Sequence, residues 1–253
     1  SRIVRFIVKN INFFNLKYLL KLVAITNGVK KYYQKKFNIK SDKFIVAPSG
    51  TSIENKFFNN VIKNKKKLNI GYFGSLYKSR GIDLILKLSK IDRENKYFIF
   101  GNLKNYKNIK NKFYNQNLFI NNYLPYKLVP KNILKMDILL MPYQEKIVAA
   151  GNVGNIIDFT SPLKLFDYMA SGKIIISSKV KVLQEILKEK KNVIFIKNFN
   201  NAYAWKKEIL KMKFLDNKRY IISQNNIKMS KNYKLKERAK GILDSLNYDF
   251  NTN

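Results

Sequence analysis

Thr160-Ser161-Pro162-Leu163-Lys164-Leu165-Phe166-Asp167-Tyr168-Met169-Ala170-Ser171-Gly172-Lys173, followed by the apolar run Ile174-Ile175-Ile176-Ser177, is the stretch that decides the fold. Ser161 is a good N-cap and Pro162 a good first helical residue. Leu163, Phe166 and Met169 recur at helical spacing, and Gly172 predicts the stop before a strand. A helix opening with free backbone N–H groups and Lys164 in its first turn suits an anion. Asp167, three residues on and on the same face, is placed to accept from a sugar hydroxyl. A surface Lys–Asp pair worth a few tenths of a kcal/mol would have the same pattern.

A second segment upstream tips the balance. Asn69-Ile70-Gly71-Tyr72-Phe73-Gly74 reads as a buried strand, residues 75–81 as a loop ending in Arg80-Gly81, and residues 82–89 as the start of a helix with an apolar face. Strand, small-residue turn and helix form the doubly wound unit, whose ligands sit outside the carboxyl ends of the strands. Gly74 lets a phosphate approach the backbone, and Arg80 offers a bidentate fork. By itself this glycine pattern is not the dinucleotide fingerprint. A cation and a helix dipole for phosphate, beside a carboxylate for ribose, make the chemistry of a nucleotide-sugar site.

In this order and spacing the two segments resemble the donor-binding half of glycosyltransferase family 4, enzymes of the GT-B fold. The likeness runs from about residue 22 to about residue 212 and is densest at 71–81 and 161–172. The family's glycines match Gly74 and Gly81, with Arg80 where lysine is usual and Ser75 where arginine is usual. Of the family's two glutamates separated by seven residues, the second matches Asp167 and the first falls on Phe159, beside Asp158. The resemblance implies a diphosphate site at Gly74, Ser75, Arg80, Ser161, Pro162, Leu163 and Lys164. It implies ribose binding by Asp167 and a nucleobase pocket at Gly101, Tyr123 and Leu124. It also implies a retaining, metal-independent transferase with no cofactor, whose acceptor-side groups, often a histidine, come from the other domain.

Composition narrows the alternatives. The 253-residue chain is 46% hydrophobic, enough to bury a core in one or two domains. It has neither cysteine nor histidine, so disulfides, thiolate or histidine metal sites and a Ser-His-Asp triad are excluded. No apolar run approaches transmembrane length and no signal-peptide pattern is present, which fits a reducing cytoplasmic setting. The formal net charge of +34 admits three readings. AT-rich coding accounts for abundant Lys, Asn, Ile, Phe and Tyr. An anionic membrane surface would attract basic faces by about 1 kcal/mol per cation. Nucleic acid has charge alone in its favour, because no recognisable binding motif is present.

The rest alternates strand and helix, as a parallel doubly wound (Rossmann-like) α/β sheet requires. Strands are predicted at 22–26, 43–48, 96–101, 117–123, 137–143, 173–178 and 192–196. Helices are predicted at 27–37, 129–135 and 182–189, with a basic helical tail over 200–246. Residues 149–154 make a small-residue loop placed to close over the donor sugar, or merely a surface connection. The domain reading is residues 1–53 as the end of an acceptor-binding domain, 54–67 as linker, 68–199 as the donor domain and 200–253 as C-terminal helices. On this reading the N-terminal domain is truncated. Two functions remain open: sugar transfer to a glycan or lipid-linked acceptor, or donor binding by a subunit that needs a separate acceptor-domain chain. The basic amphipathic start at 2–9 places the assembly at the inner membrane face.

Overall fold

The computed structural model describes residues 19–54, 65–105, 115–147 and 154–250. The expected basic start at 2–9, most of the linker and most of the 149–154 loop lie outside them. The first unit is β1 (Leu22–Ala24), α1 (Asn27–Phe37) and β2 (Phe44–Val46), with β1 and β2 paired in parallel. Thr26 caps α1, its hydroxyl accepting the Val29 N–H at 3.1 Å. The helix has no buried residue and carries Lys35 and Lys36 in its last turn, so its sequence follows the solvent rather than a core.

The main body follows in order: β3 (Asn69–Phe73), α2 (Ile82–Ile91), β4 (Lys96–Phe100), β5 (Leu118–Asn121), α3 (Val129–Leu134), β6 (Ile138–Met141), α4 (Leu163–Ala170), β7 (Ile174–Ser178), α5 (Lys181–Gln184) and β8 (Ile194–Ile196). These strands form one parallel sheet in the order β5-β4-β3-β6-β7-β8. The chain reverses its winding between β3 and β6, the point where doubly wound sheets place their ligands.

Side chains alternate along each strand, so two cores form. Ile138 and Leu140 join Ile70, Tyr72, Ile174 and Ile176 on the face covered by α2. Leu139 and Met141 join Phe73, Phe100 and Ile175 on the face covered by α3, α4 and α5. The tail adds α6 (Ala202–Phe214), α7 (Asp216–Ser230) and α8 (Leu235–Phe250). Trp205, Ile209 and Met212 of α6 close the first core, and α7 packs along α4. Burying each such side chain contributes about 1.5–3 kcal/mol.

The structure departs from the sequence reading at four places. The helix expected at 182–189 is one turn, because the Asn192 side chain captures the Lys188 N–H at 2.6 Å and turns the chain toward β8. Ser161 does not cap α4: its Oγ accepts the Ser49 N–H at 3.1 Å instead. Pro162 therefore stands at the N-cap position in extended geometry, with no side-chain cap, rather than as the first helical residue. Leu163 is not on the core face but 64% exposed, since the buried side of α4 is Leu165, Phe166, Tyr168 and Met169. Gly172 ends the helix as expected, at φ 64°.

Candidate functional site

The site forms where β3, β6 and the start of α4 meet. After β3 the chain turns at Gly74, whose φ of 147° suits glycine. A short 3-10 turn, Lys78–Arg80, then carries the arginine to the edge of the cleft. Gly81 (φ 76°) starts α2, and a Cβ there would collide with the Pro142 carbonyl beyond β6. That close approach brings Arg80 alongside Tyr143, with the guanidinium carbon 5.6 Å from the ring centre.

Lys164 arrives from the first turn of α4. Its Nζ lies 4.0 Å from the centre of the Tyr72 ring and 5.5 Å from that of Tyr143. A Cβ on Gly74 would stand 3.1 Å from the same nitrogen, so glycine leaves room for the ammonium. Burial, and then the neighbouring Arg80 charge, pushes the Lys164 ammonium well below the ordinary lysine range. Both cations sit without a carboxylate partner among the described residues. Arg80 Nε and the Tyr143 hydroxyl are buried with no hydrogen-bond partner. Burial holds the Tyr143 and Tyr72 phenols well above their ordinary value against the opposing Arg80 charge.

Unsatisfied buried donors cost about 1–3 kcal/mol each. A cluster of two cations, an orphan hydroxyl and the uncapped N–H groups of a helix start is a pocket complementary to an anion. Among the described residues no carboxylate pairs with it. Its position at the switch point is where a bound phosphate would lie.

Asp167 occupies a different setting one turn along α4. It is 8% exposed, and its Oδ1 accepts the Thr51 hydroxyl at 2.6 Å and the Tyr126 hydroxyl at 3.0 Å. Burial raises its carboxyl above the ordinary value of 3.8, opposed by those two hydrogen bonds and by the Lys234 charge. No hydrogen bond to its Oδ2 is formed by the described residues.

The other expected residues differ in setting. Ser75 is exposed and uses its carbonyl to accept the Tyr72 hydroxyl at 2.7 Å. Gly101 follows β4 against Gly74, so close that a Cβ would strike the Gly74 carbonyl, and this packing alone demands glycine. Tyr123 is 68% exposed, and its backbone N–H is taken by the Asn122 side chain at 2.8 Å. Leu124 packs onto the second core. Phe159, at the position of the first carboxylate in the resembled pattern, packs edge-on to Tyr32 of α1 with ring centres 5.5 Å apart.

Four participants escaped the sequence reading: Tyr72, Tyr143, Thr51 and Tyr126. Tyr143 follows Pro142 at the carboxyl end of a buried strand, and that position was a signal available in the sequence. Thr51 and Tyr126 lie 116 and 41 residues from Asp167, and no local pattern marks them.

Known structures share this fold. No curated protein matches the chain by sequence. Among solved structures, a glycosyltransferase from Rickettsia africae aligns over 98% of this chain and 68% of its own, with a TM-score of 0.74 at 15% identity. HepE of Anabaena, in complex with UDP and glucose, aligns over 97% and 66%, with a TM-score of 0.71 at 11% identity. TarM aligns over 98% and 46%, with a TM-score of 0.68 at 17% identity. The chain thus spans about half to two thirds of the length of these structures, and at such identities they establish the fold as GT-B. A family model for "Glycosyl transferases group 1" matches residues 52–229, which take in the whole six-stranded sheet, its cation cluster and nearly all of α7. With most of its length inside that match, the chain belongs to the group 1 glycosyl transferases.

Proposed function

We propose that this protein binds a nucleotide-diphospho-sugar at the β3/β6 switch point and transfers the sugar to a glycan or lipid-linked acceptor. The observation that carries the reading is the convergence of the half-buried Arg80 and Lys164 side chains on the buried Tyr143, with no carboxylate partner for either cation among the described residues. The diphosphate sits against these groups and the first N–H groups of α4, and Gly74 allows its close approach. As the bond from sugar to diphosphate breaks, negative charge grows on the leaving phosphate. Preorganised cations held out of bulk water stabilise that charge without reorganising. They supply what a carboxylate-held metal would otherwise supply, so transfer is metal-independent. Asp167 holds the ribose, and this remote contact orients the reacting bond. By family resemblance the reaction retains configuration, and the acceptor belongs to surface-glycan or glycolipid synthesis. HepE has been solved with UDP-glucose and with UDP, which supports a uridine donor here.

A second reading has one observation in its favour. Phe159 packs on Tyr32 where the resembled pattern has a carboxylate, so the chain would bind donor and act only with an acceptor-domain partner. The lysine-rich surface of α1, with Tyr32 and Tyr33 45% and 41% exposed, supports a seat on an anionic membrane for either arrangement. Among the described residues no helix is long and apolar enough to cross a membrane.

Calorimetric titration with UDP, GDP and ADP in the presence of EDTA tests the proposal. Binding of at least one, without metal, is expected. A folded sample that binds none of them refutes it.

A further inference from the structure

The Asp167 carboxylate is held by two hydroxyls that come from outside its own element. Thr51 belongs to the segment between the first unit and the sheet, and Tyr126 to the turn after β5. Both donate to the same oxygen, Oδ1, at 2.6 and 3.0 Å. Two donors on one carboxylate oxygen fix the plane of the group and leave Oδ2 as its free acceptor, whose two lone pairs can accept from the hydroxyls of a diol.

Thr51 is itself unusually well anchored. It is 1% exposed, and its Oγ1 accepts the Ile53 N–H at 3.0 Å. Its backbone N–H donates to the Tyr233 carbonyl at 2.9 Å, and its carbonyl accepts the Leu235 N–H at 3.2 Å. Lys234, between those two, hydrogen-bonds the Ile53 carbonyl and bears on Asp167 through its charge. A buried hydroxyl locked on both sides by backbone pairing has one rotamer to offer. Asp167 is shorter than the glutamate of the resembled pattern, so its carboxylate has less reach and its orientation is set by the hydroxyls that touch it.

We infer that Thr51 and Tyr126 are positioning residues for ribose recognition: their hydroxyls orient Asp167 so that Oδ2 meets the ribose diol. The inference rests on the nucleotide-sugar reading above and goes beyond it. It makes binding of the sugar part of the nucleotide depend on the segment around Thr51 and on residues 233–235, which hold it in place. The phosphate cluster, built from β3, β6 and α4, has no such dependence.

The test compares UDP, GDP and ADP with their 2′,3′-dideoxy analogues and with inorganic pyrophosphate, in the parent chain and in Thr51→Val, Thr51→Ser and Tyr126→Phe. One lost orienting hydrogen bond is worth about 0.5–1.5 kcal/mol, or roughly two- to thirteenfold in affinity. Thr51→Val and Tyr126→Phe are each expected to weaken the ribose-bearing nucleotide by that factor. Dideoxy analogues and pyrophosphate are expected to bind as before, and Thr51→Ser to restore most of the loss. Tyr126 is 47% exposed, so its phenylalanine variant keeps the test open should Thr51→Val fold poorly. Equal weakening of nucleotide and dideoxy analogue, or no weakening by either variant, overturns the positioning role. If the parent chain binds nucleotide and dideoxy analogue equally well, Asp167 does not recognise ribose and the underlying reading fails first.

Discussion

Lys164→Met should stabilise the ligand-free protein and at the same time remove its response to nucleoside diphosphate. Methionine keeps an unbranched chain over the Tyr72 ring, where sulfur–aromatic contact is favourable, and deletes only the ammonium. That ammonium is buried 4.0 Å from the Tyr72 ring centre, its pKa lowered by burial and by Arg80. Removing an uncompensated charge of this kind gains about 0.5–2 kcal/mol. At about 2–4 °C per kcal/mol for a domain of this size, the melting temperature rises by roughly 1–8 °C. The sign of the pH dependence is fixed. Because the folded pKa lies below the unfolded value of 10.5, the unfolded chain holds more protons in that window, and parental stability climbs with pH there. The advantage of methionine is therefore largest at low pH and shrinks as pH approaches 10.

The ligand response moves the other way. A charge-assisted hydrogen bond to phosphate is worth about 1.5–3 kcal/mol, a loss of roughly ten- to a hundredfold in affinity. Nucleotide at a hundred times its Kd stabilises the parent by about 2.7 kcal/mol. After a hundredfold loss the same concentration stabilises the variant by about 0.4 kcal/mol. Differential scanning calorimetry with and without the nucleotide, over a pH series, reads both effects. A variant less stable than its parent that keeps its full ligand-induced shift would show Lys164 to be a packing residue, and the anion-site argument would fall with it.

Three further outcomes follow from the same geometry. Tyr143→Phe deletes a buried hydroxyl with no partner, so urea denaturation should show stability unchanged or raised by up to about 1 kcal/mol, while titration shows diphosphate bound about two- to tenfold more weakly. Gly81→Ala forces a side chain into left-handed backbone against the Pro142 carbonyl, and should cost about 2–3 kcal/mol in urea denaturation. Asp167→Asn tests the raised carboxyl. Its folded pKa lies above 3.8, so parental stability falls as pH rises from about 4 toward that folded value. The asparagine variant should lack that fall in thermal melts across the pH series.

The sheet was legible because its evidence is local. The runs Ile138–Met141 and Ile174–Ile176 are apolar throughout, and only a strand covered on both faces needs that. Gly74, Arg80 and Lys164 were legible as a set because each stands at a strand end or helix start, where the doubly wound fold collects ligand groups. The errors occurred where two local rules competed with a distant partner. Ser161 satisfies every rule for an N-cap, yet Ser49, 112 residues earlier, offers it an N–H that α4 does not outbid. The Lys164–Asp167 spacing predicts one shared face, but the two side chains lie in separate environments: Lys164 reaches the β3/β6 cluster, while Asp167 is held by Thr51, before β3, and Tyr126, after β5. That division has a functional consequence. On the proposed reading, phosphate and ribose contacts depend on different long-range neighbours of one eight-residue helix, so a displacement of the segment around Thr51 would change one without the other. A displacement of α4 itself must change both.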